Sequence, residues 1–307
     1  MTRHFVTIED LSRSDLEAIY ELSCSPFDDE TLKGQGVALV FERPSLRTRA
    51  SSSSAVHELG GYVTFFSDEE VGLDSRECAE DIACTLAQMY AISALRVRDH
   101  RVFGRMRAAS NDAMSLVNLL SDMAHPTQAV ADVLTIAEHF TGGDVRKLRG
   151  LEVAYVGDAT NVTRSLCVAL LRLGANVTVA APAAYQLAQG GPEDPFAIEG
   201  GSLTLSESSD EAVRRADVIY TDAWVSMGLE AETEQRRRDF APFQVNAALL
   251  EKAKSGVVVM HCLPAHRGDE ITNEVIDGEE SLVWRQVFHR RSAMLGVLRW
   301  IKKEDHD

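Results

Sequence analysis

The sequence predicts an α/β protein of two domains, each with a mainly parallel sheet flanked by helices. Short apolar runs recur along the chain, and stretches of helical period separate them. After Gly142 and Gly143, a helix stop, the same alternation begins again, so the chain reads as two units joined near residue 140.

Taken in order, a polar lead, MTRHFVTIED, precedes LSRSDLEAIYEL, which has helical spacing. Val37 to Phe41 is the first strand, followed by a polar loop from Glu42 to Arg49. A weak helix then runs to Leu59 and stops at Gly60 and Gly61. Tyr62 to Phe66 reads as a strand, Cys78 to Tyr90 as a helix, and Ala91 to Val97 and Met114 to Leu120 as strands. A long helix from about Thr127 to Phe140 closes the first series. The second comprises strand Leu151 to Val156, helix Val162 to Leu173, and strands Asn176 to Ala181, Val218 to Thr221 and Gly256 to His261. The charged stretch Glu230 to Asp239 reads as a solvated loop or helix face. Ala293 to Lys303 forms a final amphipathic helix, able to pack against either half.

Composition narrows the classes. The chain has 307 residues, 45% apolar and 25% charged, which excludes disorder, collagen and coiled coil. Asp and Glu total 47 against 31 Lys and Arg, a net charge of −16 that argues against general nucleic-acid binding. Five cysteines, an odd number without a C-x-x-C pair, indicate neither a disulfide framework nor a zinc ribbon, and a reducing cytosol is expected. The opening residues read as neither signal peptide nor membrane anchor.

Chemistry concentrates at strand ends, where open α/β sheets bind ligands. Phe41-Glu-Arg-Pro-Ser-Leu-Arg-Thr-Arg49 lies between a strand and a helix start. Unpaired N–H groups there favour an anion, and Ser45, Arg47, Thr48 and Arg49 add four donor side chains. The Walker spacing is absent, so nucleoside triphosphate hydrolysis has no support. Arg98 offers a further cation, with Arg96 and Arg101 equally near in sequence. His125-Pro-Thr-Gln128 opens a helix, with His125 and Gln128 able to hydrogen-bond a carbonyl oxygen. Val156-Gly-Asp-Ala-Thr-Asn161 lacks the later glycines of a dinucleotide loop, which disfavours a nicotinamide cofactor. Asp222 and Ser226 pair a carboxylate with a hydroxyl, a set suited to an ammonium group. In His261-Cys-Leu-Pro-Ala-His266, Cys262 is open to three functional roles, nucleophile, zinc ligand with His261 and His266, or contact for a substrate amine, beside the default of an inert structural thiol. A metal is the least favoured, for want of a fourth ligand.

Together these motifs resemble the aspartate/ornithine carbamoyltransferase family, and its ornithine branch in particular, over nearly the whole chain. Ser45-Leu-Arg-Thr-Arg49 and His125-Pro-Thr-Gln128 are similar to the family's carbamoyl phosphate motifs. Asp222-x-Trp-x-Ser-Met-Gly228, Phe243-Gln-Val-Asn246 and His261-Cys-Leu-Pro-Ala-His-Arg-Gly268 follow in the ornithine branch's order. The resemblance implies a carbamoyl phosphate domain over residues 1–140, joined by a helix at about 293–307, and an ornithine domain over 141–292. It implies that Ser45, Leu46, Arg47, Thr48, Arg49, Arg98, His125, Gln128, Cys262, Leu263 and Arg290 hold carbamoyl phosphate. Asn161, Asp222, Ser226 and Met227 would hold ornithine. Arg47, Thr48, Arg98, His125 and Cys262 would serve the chemistry, namely carbamoyl transfer to the side-chain amine of ornithine, giving citrulline and phosphate in arginine metabolism. It implies no metal or organic cofactor, and a cytoplasmic trimer or a multiple of one.

The chain departs from the family pattern at Leu46, at the polar run Ser51 to Ser54, which includes Ser52, at Gly72, where many relatives carry a glutamine, and at Thr160 and Arg164. Three other readings follow: a carbamoyltransferase for putrescine or a modified ornithine, a non-catalytic ligand-binding relative, and, on sheet topology alone, a nicotinamide-dependent oxidoreductase.

Overall fold

A computed structural model describes residues 2–25, 30–190, 194–198, 200–225 and 230–303. The chain divides into two compact units, Met1–Leu134 with His289–Asp307, and Thr135–Phe288. Each contains one parallel sheet, of four strands in the first and five in the second.

In the first unit the order is α1 (Arg13–Cys24), β1 (Gly36–Phe41), α2 (Leu46–Glu58), β2 (Tyr62–Ser67), α3 (Asp68–Val71), α4 (Ala79–Ala87), β3 (Ile92–Arg96), α5 (Arg101–Ser110), β4 (Ser115–Leu120) and α6 (Pro126–Thr141). Ser12 opens α1 with a reciprocal cap to Asp15, satisfying N–H groups that the helix itself leaves unpaired. The strands pair in the order β2, β1, β3, β4. Every β1 side chain is buried, as expected where helices cover both faces of a parallel sheet. The polar lead is partly strand-like, because the Phe5 N–H donates to the Leu116 carbonyl and the Asn118 N–H to the Phe5 carbonyl.

The second unit runs β5 (Glu152–Val156), α7 (Asn161–Arg172), β6 (Asn176–Ala180), β7 (Leu203–Ser206), α8 (Ser209–Val213), β8 (Val218–Thr221), α9 (Thr233–Phe240), α10 (Ala247–Leu250), β9 (Val258–His261) and α11 (Asn273–Ile276), with strand order β7, β6, β5, β8, β9. The last helix, α12 (Val283–Lys302), starts ten residues before the position expected from its amphipathic pattern, so Arg290 is helical.

Three other elements differ from expectation. Leu46 to Arg49 form the first turn of α2 rather than a loop, because Ser45 caps the helix there. Arg101–Ser110 is helical although Gly104 and three arginines dilute its apolar face. Residues 230–240 are helical, and most of residues 231–240 are exposed, but Arg236 is only 7% exposed. Its guanidinium donates to Asp158 Oδ2 at 2.6 Å and to the Trp224 carbonyl at 2.9 Å, so charge patterning alone misplaced it.

Gly296 lets α12 lie against α1. A Cβ there would fall 2.4 Å from the Ile19 carbonyl oxygen and 2.0 Å from Ser23 Oγ. Gly296→Ala is therefore expected to lower stability by about 1–3 kcal/mol despite alanine's better helix propensity. Denaturant unfolding measures it, and an unchanged midpoint would contradict the packing. Among the described residues no helix is long and apolar enough to cross a membrane.

Candidate active site

In each sheet the chain first builds outward on one side and then crosses back past its first strand. The order reverses between β1 and β3 in the first unit and between β5 and β8 in the second. Loops at the carboxyl ends of those strands diverge, leaving room for a ligand at each reversal. Ser45 to Arg49 follow β1 and Arg98 follows β3. Asn161 follows β5 and Asp222 follows β8.

In the first unit the helix start is built by its own side chains. Ser45 Oγ accepts from the Thr48 N–H at 3.4 Å and donates to Thr48 Oγ1 at 3.0 Å. Thr48 Oγ1 also accepts from Arg290 Nη2 at 2.8 Å. Arg290 Nη1 donates to Gln128 Oε1, so residues from α2, α6 and α12 meet on one buried guanidinium. The guanidinium of Arg49 lies 3.7 Å from the centre of the Phe65 ring, within cation–π range. The Leu46 side chain is 80% exposed, which leaves its backbone as the part able to serve an anion.

The three arginines near β3 separate clearly. Arg98 is exposed, its Nη2 donating to Asp68 Oδ2 at 2.8 Å and to the Glu42 carbonyl at 3.2 Å, while its backbone N–H donates to Glu42 Oε2 at 2.6 Å. Burial holds the Glu42 carboxyl above the usual range. Arg101 pairs with Asp99 at the surface. Arg96 is buried, and the β3–β4 pairing shifts register just before it. Its charge reaches His125.

His125 is buried at the start of α6. Loss of hydration, then the charges of Arg290 and Arg96, hold its imidazole well below 6.5, so it is neutral at physiological pH. The unfolded chain binds a proton near pH 6.5 that the folded one refuses, so stability is lost as pH falls below that value. The expected slope from this group is up to about 1.4 kcal/mol per pH unit. Unfolding midpoints from pH 8 to 5.5 should fall less steeply for His125→Gln; parallel curves would contradict the assignment.

In the second unit, Cys262 Sγ donates to Asp222 Oδ1 at 3.0 Å, and the Ala223 N–H donates to the same oxygen at 2.8 Å. Burial raises the Asp222 carboxyl, against the opposing hydrogen bonds from Cys262 and Ala223. His261 accepts the Leu263 N–H on Nδ1 at 2.9 Å, so its proton lies on Nε2, 3.0 Å from Glu270 Oε1. Glu270, fully buried, also accepts the His266 N–H at 2.6 Å. This ties down the turn bearing Cys262 and Leu263, where Leu263 takes the left-handed backbone at φ +57°. The ligand atoms of Asp222, His261 and Cys262 lie within 4.8 Å of one another, yet both imidazole nitrogens are engaged and His266 is not in the group. A zinc ion would have to displace those bonds, so the set is poorly suited to metal.

Asn161 opens α7, its Oδ1 accepting the Val162 N–H at 3.0 Å, while Thr160 caps the helix. Ser226 and Met227 lie outside the described residues. Gly72 ends α3 at φ +59°, and a Cβ there would stand 2.6 Å from Arg76 Cβ, so a glutamine would not fit without a shift. Sequence reading passed over Glu270, Glu42 and Asp132. Asp132 left a signal, a lone carboxylate one helical turn after Gln128 in an apolar stretch.

A family model described as the carbamoyl-P binding domain of aspartate/ornithine carbamoyltransferase matches residues 3–138, and one described as the Asp/Orn binding domain matches 149–301. Ornithine carbamoyltransferase of Methanocaldococcus jannaschii is 38% identical over 312 residues, covering 97% of this chain and 98% of that protein. The anabolic enzyme of Pyrococcus furiosus is 42% identical over 270 residues, covering 87% and 84%. A solved ornithine carbamoyltransferase structure from Pyrococcus furiosus superposes with a TM-score of 0.88 at 37% identity, covering 97% of this chain and 96% of the other.

Proposed function

The chain belongs to the aspartate/ornithine carbamoyltransferase family, and we propose that it transfers the carbamoyl group of carbamoyl phosphate to the side-chain amine of L-ornithine. One observation carries the geometric case: Arg290, Gln128 and Thr48, remote in sequence, meet beside the cap formed by Ser45.

In this reading the first unit holds the donor. Arg47, Arg49, Arg98 and Arg290 favour the phosphate dianion, and they favour it more as the leaving group gains charge. Thr48 and neutral His125 offer hydrogen bonds to the carbonyl oxygen, which becomes negative as its carbon turns tetrahedral.

The second unit holds the acceptor, with Asn161, Ser226 and Met227 for the amino-acid end and Asp222 and Cys262 for the amine. A free alkylamine has a pKa near 10.4, so at neutral pH only about one molecule in a thousand is an uncharged nucleophile. The half-buried Asp222 carboxylate attracts the ammonium form, and loss of hydration beside Cys262 and Leu263 then favours its proton's departure. The amine nitrogen bonds to the carbamoyl carbon, the tetrahedral centre forms, and the bond from that carbon to the phosphate oxygen breaks. Citrulline, inorganic phosphate and the nitrogen's surplus proton leave. No step calls for a metal or an organic cofactor. By the family resemblance we assign the protein to the cytoplasm, as a trimer or a multiple of one.

The test is to incubate the protein with carbamoyl phosphate and a panel of amines and identify the carbamoylated product by mass. Citrulline as the main product supports the reading; carbamoylated putrescine or no product would overturn it.

A further inference from the structure

We propose that Asp132 is a positioning residue for carbamoyl phosphate, acting through the side-chain amide of Gln128. The inference rests on the carbamoyl phosphate reading of this site. Asp132 stands on α6, one turn beyond Gln128 and on the same face. It is fully buried, in a stretch of α6 whose apolar residues Val130, Ala131, Val133 and Leu134 are buried as well. Gln128 Nε2 donates to Asp132 Oδ1 at 2.7 Å.

The oxygen and nitrogen ends of a glutamine amide have nearly the same shape, so only their neighbours decide which way round it lies. Asp132 offers only acceptors when ionised, and Arg290 on the other side offers only donors. Together they turn the Gln128 nitrogen toward α6 and its oxygen toward the guanidinium. Reversal would set nitrogen against the guanidinium and oxygen against the carboxylate, losing both charge-assisted bonds at once. The orientation then passes along a chain of contacts. Arg290, held by the Gln128 oxygen, aims its second nitrogen at Thr48 Oγ1, and Thr48 takes the hydroxyl of Ser45. Asp132 thereby fixes which polar atoms the α2 cap and α12 present to a phosphate. A buried carboxylate is costly unless its bonds are made, and the bond from Gln128 is one of those that offset the cost here.

Asp132→Asn tests the idea, because asparagine serves as donor or acceptor and no longer dictates the sense of the neighbouring amide. Calorimetry with inorganic phosphate is expected to show at least about ten-fold weaker binding for D132N, the KM for carbamoyl phosphate rising in step. The KM for ornithine should stay within about two-fold, a split that general loosening of the fold would not produce. In a Q128M background D132N should cost nothing more, since the group it acts through is gone. Additive losses, or unchanged phosphate affinity in the single variant, would overturn the proposal.

If D132N fails to fold, the apolar pair Q128M/D132L is compared with Q128M. Equal phosphate affinity supports the assignment, and a further ten-fold loss, about 1.4 kcal/mol, refutes it. Phosphate binding is read without turnover. A wild-type protein that binds phosphate but makes no citrulline therefore fails the functional reading while still deciding the role of Asp132, and one that binds no phosphate ends both.

Discussion

Arg47→Ala is expected to lower citrulline formation by about 10²–10³-fold, the cost of removing one charged donor from a developing anion. The same change should move folding stability by less than about 0.5 kcal/mol. This contrast follows from what each cation of the cradle already does. Arg290 is buried between Gln128 and Thr48, Arg98 is held by Asp68 and Glu42, and Arg49 lies over Phe65. Arg47 sits half-buried in the first turn of α2, and no hydrogen bond or ion pair joins it to another described residue. Its charge is not spent within the fold, so its loss is felt by the ligand. A colorimetric citrulline assay beside thermal unfolding separates the two quantities; near-normal turnover would sink the cradle assignment.

Asp222→Asn should act in opposite directions on activity and stability. The carboxylate is half-buried and loss of hydration raises its pKa in the folded state, so folding favours its protonated form. Above the unfolded value the charged group works against the fold, and the penalty grows as pH rises through the folded value. Asparagine keeps the acceptor for the Ala223 N–H and the Cys262 thiol while removing the charge. The variant is expected to be as stable as the wild type or more so at pH 8, yet to lose on the order of 10²-fold or more in kcat/KM for ornithine. The KM for carbamoyl phosphate should change little. A variant of lower stability with intact ornithine kinetics would show that Asp222 serves the fold instead.

Much of this architecture was legible because parallel strands buried on both faces must be apolar throughout, as Val37 to Phe41 and Val153 to Val156 are. Elements that escaped notice are short or carry mixed signals. Leu203–Ser206 has four residues amid polar ones, and the last helix begins with Trp284 and Arg285 on an exposed face that hides its period. At the site, donors that must reach a ligand stood out as clustered arginines and hydroxyls. Residues that orient those donors did not: Glu42 meets Arg98 across a long stretch of chain, Glu270 gathers His261 and the His266 N–H only once its turn folds, and Asp132 left no more than its one-turn spacing from Gln128. Arg236 shows the converse, since one residue of a charged run can turn inward when a buried carboxylate, here Asp158, meets it.

The closing helix carries a consequence for biogenesis. Gly296 seats it on α1, and Arg290 within it completes the phosphate cradle, so the N-terminal lobe stays unfinished while the ribosome makes everything up to His289. At ~5–20 residues per second the wait is on the order of ten seconds, during which the central lobe emerges with all its strands. The nascent N-terminal portion thus spends that interval with an uncovered apolar flank. A stop codon that removes only the final helix should release chains prone to aggregation rather than a working shorter enzyme.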